Sequence, residues 1–272
     1  MTTIDTGTDE LLCSLDDGIA TVTLNRPDKR NALSDRLTPA LREILLVLER
    51  SEDARCIIIT GAGRAFCAGG DIAGMGGDGD PAHRQNRDAA TRELIRREET
   101  LSLRLYELAT PTIAALPGAA AGAGLSIALA CDFRIGAASA FIKTAFANIG
   151  LPGDYGGTWL LTRLVGPAKA KALYFMSPRV DAAECLALGI FDEVVSDDTL
   201  QARARDMAGT IAAGPPIAIA CMKACINAAA DSDLRACLQA EAHATIRCME
   251  TADHAEAVQA FLHKRSPRFS GR

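Results

Sequence analysis

The sequence predicts an α/β core over residues 1–190 followed by a helical region over residues 191–272. Three observations carry that prediction. Short apolar runs bounded by Gly and Pro recur through the first part, at Cys56 to Thr60, Ile113 to Leu116 and Phe133 to Ile135. Runs of this length between turn signals read as buried strands. Stretches with apolar residues at helical spacing stand between them, and this alternation is the pattern of parallel strands joined by crossovers. After Gly166-Pro167 the strand-like runs give way to one helical pattern after another.

Taken in order, Ile19 to Leu24 alternates, with Ala20, Val22 and Leu24 on one face, and reads as a strand that Asn25-Arg26-Pro27-Asp28 turns. Leu33, Leu37, Leu41, Ile44 and Leu48 form the apolar stripe of an amphipathic helix. Cys56 to Thr60 follows as a strand ending at Gly61. Residues 74 to 90 are rich in Gly, Asp and Arg and predict a surface loop, leading to a helix from Thr91 to Leu108 that Pro111 stops. Ile113 to Leu116 is a strand, Leu125 to Ala130 a helix and Phe133 to Ile135 a strand. A Gly-rich loop at 150 to 157 precedes a helix from Thr158. The spacing then predicts helices over 168–176, 182–188, 199–213, 216–230, 233–249 and 254–261.

Composition narrows the function classes. Apolar residues are 49% and charged residues 23%, enough to bury a core. Net charge is -5, so no broad basic field is available for nucleic acid, although local basic patches at Arg26, Lys29, Arg30 and at Lys264, Arg265, Arg268, Arg272 remain open to a small anionic ligand. Nine cysteines, several inside apolar runs and without a C-x-x-C pair, read as reduced core thiols of a cytoplasmic protein. The four histidines show no zinc spacing, so no metal is expected. The N-terminus lacks the basic-then-apolar order of a signal peptide, and the longest apolar run, Ala119 to Ala130, is broken by Gly122 and Gly124, so no membrane span is expected.

Three stretches carry chemistry. Ile58 to Asp71 runs from a strand into Gly61-Ala62-Gly63, which invites a dinucleotide reading. Phe66 stands where the third glycine belongs and no helical pattern opens there, so that fingerprint fails. What remains is a loop of small residues whose N–H groups a ligand can approach closely. Pro117 to Ser126 joins a strand to a helix through Gly122-Ala123-Gly124, a helix N-terminus whose unpaired N–H groups suit developing negative charge or, equally, close packing of a buried helix. Gly150 to Trp159 holds Asp154, the one carboxylate between Asp132 and Asp181. Gly157 or Thr158 better fills the helix cap, which leaves Asp154 without a structural task.

Leu24-Asn25-Arg26-Pro27, Phe66-Cys67-Ala68-Gly69-Gly70-Asp71, Gly122-Ala123-Gly124, Ala130-Cys131-Asp132, Gly156-Gly157-Thr158 and the tail Ala260 to Arg265 occur in an order and spacing that resemble the crotonase, or enoyl-CoA hydratase/isomerase, superfamily along nearly the whole chain. Residues 120 to 124, 153 to 159 and 264 to 269 are similar to its ring-1,2-epoxyphenylacetyl-CoA isomerase branch. The resemblance implies a spiral of strand-strand-helix repeats with a C-terminal helical trimerisation region, and a homotrimer or dimer of trimers. It implies an acyl-CoA substrate whose thioester oxygen is held by the N–H groups of Ala68 and Ala123. It places Ala68, Gly69, Gly70, Asp71 and Ile72, with Gly122 and Ala123, along the coenzyme A site, Lys29 and Arg30 at the nucleotide phosphates, and Phe261 and Lys264 near coenzyme A from the same or a neighbouring subunit.

The family's hydratases use two glutamates, and those positions read here as Ser126 and, approximately, Phe146. Neither is a carboxylate base. In the epoxide-isomerase branch an aspartate falls where Asp154 stands, and one aspartate can carry a proton from one carbon to another. The expectation is an acyl-CoA isomerase, shifting a double bond or rearranging a ring epoxide, with Asp154 as acid and base and no cofactor beyond the coenzyme A of the substrate. The alternatives are a 2-enoyl-CoA hydratase of fatty-acid oxidation and a catalytically silent acyl-CoA-binding subunit. Residues 74 to 110 are expected to line the acyl pocket.

Overall fold

A computed structural model describes residues 1–71 and 86–272. Its core is a seven-stranded sheet with the strand order β1-β2-β3-β4-β6-β8-β11. Strands β1 (Thr2–Ile4), β2 (Leu11–Asp16) and β3 (Ile19–Leu24) form an antiparallel meander. From β3 onward every neighbour is parallel: β4 (Cys56–Gly61), β6 (Thr112–Leu116), β8 (Phe133–Ala137) and β11 (Glu193–Val195). Strands β4 and β6 are buried along their whole length, which is why they read as continuous apolar runs rather than alternating ones.

A second sheet has the order β10-β9-β7-β5. Its three parallel members β5 (Ala65–Cys67), β7 (Ala119–Ala121) and β9 (Phe141–Lys143) each follow directly on β4, β6 and β8. Each long strand thus turns a corner into a short one and then into a helix. This is the strand-strand-helix repeat that the resemblance implied. The short strands escape sequence reading because three residues carry no period. The same holds for the two-residue β10 (Val180–Asp181).

The helices follow the sequence pattern closely. Helix α1 (Leu37–Glu49) buries Leu37, Leu41, Ile44, Leu45 and Leu48. Leu33, assigned to this helix by its spacing, instead bridges Gly70 in parallel fashion. Helix α2 (Arg87–Glu98) runs through a π-helical turn (Glu99–Leu103) into α3 (Arg104–Glu107). Helix α4 (Ala123–Ala130) is buried on every side, as expected of a helix apolar all round. Helix α5 (Gly157–Met176) joins two predicted helices across a break at Gly166, whose φ of 73° and following Pro167 interrupt the helical path.

The division expected at residue 190 is corrected. Strand β11 completes the main sheet, and α7 (Leu200–Ala212), which follows α6 (Ala182–Ala187), buries Leu200, Ala204, Ala208 and Ala212 against β3, β4, β6 and β8. Only from Pro216 does the chain stand clear of the sheet, as α8 (Pro216–Ala229), α9 (Leu234–Met249) and α10 (Ala252–Leu262). All nine cysteines are free thiols. Burial pushes Cys13 to about 11 and Cys56, Cys67, Cys131 and Cys185 to about 12, so these five pack as apolar groups. Among the described residues no single helix is long and apolar enough to cross a membrane.

Candidate active site

The site forms where the two sheets turn their corners. The loop after β3 is bolted to the β4–β5 corner by Asn31, fully buried with φ 56°. Its Nδ2 donates to Ala62 O at 3.0 Å and Ala65 O at 2.8 Å, and its Oδ1 accepts the Arg26 N–H at 2.8 Å. A buried amide with its bonds satisfied fixes a loop that apolar contact alone leaves loose. Arg26 extends the brace, pairing with Asp71 at 3.1 Å and Glu10 at 3.4 Å. Asp71, expected along the coenzyme A site, thus has its carboxylate committed to Arg26.

The backbone of residues 68 to 71 corrects one assignment. The Ala68 N–H donates to Arg30 O at 3.0 Å, so it is not available to a thioester oxygen. Leu33 takes the next positions: its N–H donates to Gly69 O at 2.8 Å and its carbonyl accepts the Asp71 N–H at 3.1 Å. In a parallel bridge of this kind the intervening residue turns its own N–H to the opposite side. That residue is Gly70, whose N–H has no acceptor among the described residues. The available donor of this loop is therefore Gly70, two residues beyond the one expected. The same bond brings the backbone of Arg30 alongside the 68–71 loop, and the side chains of Lys29 and Arg30 are exposed there.

Across from it, Gly122 (φ 50°) caps α4, and the Ala123 N–H, first in the helix, has no acceptor among the described residues. The two loops touch. Gly69 sits at φ 94°, and a Cβ there would lie 2.9 Å from Ala121 O and 3.6 Å from Ala123 N, so only glycine permits this approach. Two backbone donors, one at the positive end of a fully buried helix, can stabilise an oxyanion.

Asp154 lies in the loop before α5. Its backbone carbonyl is fully used, accepting the Ser126 hydroxyl at 3.0 Å and the Gly157 N–H at 3.1 Å. Its carboxyl is not. Oδ1 is buried without a hydrogen-bond partner, and burial, together with the negative charge of Glu98, pushes the group from its ordinary 3.8 up to about 7. The helix cap is Gly156, so no capping duty explains the carboxylate. Ser126 therefore anchors the loop that carries Asp154. Phe146 stacks on Tyr174 at 6.1 Å and lies beside Gly122. A side chain at Gly157 would collide with the Ser126 and Tyr174 hydroxyls.

A cavity of about 870 Å³ opens at Tyr155 and Gly156. Glu98, Ser102, Leu103, Tyr106 and Trp159 are among the residues lining it, and Tyr106 meets Trp159 edge to face at 5.3 Å. Residues between Glu98 and Ala109 form one wall of the cavity and α8 another, at Ala220, Lys223, Ala224 and Asn227, while Gly70, Ala123 and Asp154 are not among its lining residues. Ile72 and most of the 74–90 loop lie outside the described residues. Phe261, 83% exposed, and Lys264 make no hydrogen bond or ion pair with the 68–71 or 122–123 loops of this chain. Among the described residues no group of His, Cys, Asp or Glu is arranged to hold a metal ion. Sequence reading did not single out Tyr174 and held Glu98 only as part of the 74–110 stretch; Glu98 lies 56 residues before and Tyr174 20 residues after Asp154, in segments that read simply as helices.

Comparison with known proteins gives the family and the fold. The enoyl-CoA hydratase/isomerase family model matches residues 14–272. The chain is 37% identical over 265 residues to the 1,2-epoxyphenylacetyl-CoA isomerase of Escherichia coli, covering 96% of this chain and 98% of that protein. It is 32% identical over 248 residues to the short-chain-enoyl-CoA hydratase of Clostridium acetobutylicum, covering 91% and 92%. The crystal structure of an enoyl-CoA hydratase from Bacillus anthracis superposes with a TM-score of 0.88 at 32% identity, over 97% of this chain and all of that one. The spiral of strand pairs, the two unpaired N–H groups at its corners and these likenesses lead to one conclusion: the chain belongs to the enoyl-CoA hydratase/isomerase family and has the crotonase fold.

Proposed function

We propose that this protein isomerises an acyl-CoA thioester by moving a proton between two carbons, with Asp154 as the carrier. The observation that carries the reading is the Asp154 carboxyl, buried, unpartnered at Oδ1 and with a proton affinity near neutrality. A group that must act as base and then as acid works best with a pKa near the operating pH. The thioester oxygen is held by the N–H groups of Gly70 and Ala123. Asp154 removes a proton, the C–H electron pair enters the thioester enolate, and the same proton returns to a different carbon. Lys29 and Arg30 take the nucleotide phosphates, and the cavity beyond Tyr155 takes the acyl group.

Hydration fits less well, because it requires a base for water as well as a proton for carbon, and Ser126 and Phe146 supply neither. The assembly is a trimer or a pair of trimers. Support comes from the apolar side chains left exposed on α8 to α10, among them Met222, Ile226, Leu238, Ile246 and Phe261, a surface that a second copy would cover. Parallel spectrophotometric assays with crotonyl-CoA and a 3-enoyl-CoA test the reading. Turnover of the 3-enoyl thioester without hydration of crotonyl-CoA is expected. Robust hydration makes the protein a hydratase, and inertness toward both makes it a binding subunit.

A further inference from the structure

Asp154 does not face a neutral wall. Helix α2 ends at Glu98, and the π-helical turn Glu99–Leu103 follows immediately. Such turns carry an extra residue and redirect the side chains around them, often at functional sites. Here the turn sends Leu101 into the core while Glu98, Glu99 and Ser102 line the same cavity as Tyr155 and Gly156, the residues directly after Asp154, and Arg42 ties the two segments together, donating to Arg97 O at 3.2 Å and to the Tyr155 hydroxyl at 3.3 Å. The neighbouring cations of α2 do not neutralise Glu98: Arg96 and Arg97 pair with Glu93 at 2.8 and 2.7 Å. The other groups around Asp154 are the Tyr174 hydroxyl from α5, the Ser126 hydroxyl from α4, which binds its backbone carbonyl, and Tyr155, whose hydroxyl meets the Arg42 guanidinium from α1 at 3.3 Å. Among the described residues none of these pairs with the Asp154 carboxyl.

We propose that Glu98 is a positioning residue for the proton carrier: its carboxylate, presented to the acyl cavity at the start of the π-turn, holds the migrating proton on Asp154 while the substrate is an enolate. The inference rests on the isomerase reading and extends it to a second carboxylate that touches no reacting atom. During the shift a C–H bond breaks, its electron pair becomes the enolate, and the Asp154 O–H bond forms. That O–H bond then breaks as the new C–H bond forms, with no net change of oxidation state. Like charges close together cannot both ionise easily, so an anionic Glu98 makes Asp154 a stronger base in the first half of the cycle. Burial is the larger cause of the raised proton affinity of Asp154 and the charge of Glu98 the second.

The test reads the proton directly. Infrared difference titration, each protein minus its Asp154→Asn counterpart, follows the protonated Asp154 carboxyl in the wild type, Glu98→Gln and Glu99→Gln. The wild-type midpoint is expected at about 7. Glu98→Gln should lower it by about half a pH unit or more, and the acidic limb of kcat/KM should move by the same amount. Glu99→Gln removes an equal charge from the same cavity wall and should move neither. An unmoved midpoint in Glu98→Gln, or an equal shift in Glu99→Gln, overturns the proposal. Because the titration needs no turnover, absence of isomerisation would count against the isomerase reading alone and leave the role of Glu98 decided by the midpoint.

Discussion

Replacing Asp154 by Asn should weaken the enzyme and strengthen the protein, and the second effect should depend on pH. In the unfolded chain the carboxyl loses its proton near its ordinary 3.8, whereas in the folded protein burial keeps the proton on until about 7. Between these values the folded state binds more protons than the unfolded one, so this group lowers stability progressively as pH rises through the window, and the penalty is complete above about 7. A rise of about three units at about 1.4 kcal/mol each sets an upper bound of about 4 kcal/mol. Asn is neutral and nearly isosteric, so it removes the pH-dependent part and leaves the unpartnered oxygen position as it was. Urea unfolding at fixed protein concentration should show the variant's advantage growing by about 2 kcal/mol or more between about pH 5 and about pH 8. Isomerisation should fall by about 100- to 10,000-fold, with affinity for coenzyme A thioesters within a few fold. A variant that kept most of its activity, with a stability difference flat in pH, would mean that Asp154 is neither buried as described nor the proton carrier.

The remaining predictions address the donors, the reaction and the assembly. Gly70→Pro deletes the proposed oxyanion donor without touching the Leu33 ladder and should cost about 100- to 1000-fold in kcat. Ala68→Pro instead breaks the bond to Arg30 O and should act mainly on KM, so equal kcat losses in the two would refute the assignment. Gly69→Ala places a Cβ against Ala121 O at positive φ and should lower both activity and Tm, read by activity assay and calorimetry. Hydration of crotonyl-CoA should be slow or undetectable by loss of enoyl absorbance. Sedimentation at micromolar concentration should give a trimer or hexamer mass, and Met222→Glu with Ile226→Glu should reduce it.

Some of this protein was legible before any coordinates. Strands β3, β4, β6 and β8, the helices and the isolation of Asp154 came from local signals: unbroken apolar runs, apolar residues at helical spacing, and Gly and Pro at the boundaries; the six-residue β2 (Leu11–Asp16), with polar Ser14 and Asp16 in its half-buried second part, went unread. These signals act within a few residues, so they survive in a one-dimensional reading. The order and spacing of short motifs added the family, and with it the spiral and the coenzyme A thioester.

Tertiary structure alone decided which amide is open. Ala68 and Gly70 look equally suited as small residues in a tight loop, and only the pairing of Leu33 and Arg30 against this segment consumes one N–H and turns the other outward. The short strands β5, β7 and β9 were invisible because three residues make no period, and their identity as strands exists only in the neighbour they pair with. The division after residue 190 failed for a related reason: β11 and α7 belong to the core through partners far away in sequence. Only the tertiary structure brings Glu98 to the cavity that Tyr155 and Gly156 also line. A carboxylate's proton affinity depends on burial and on charges close in space, and neither can be read from its position in the chain.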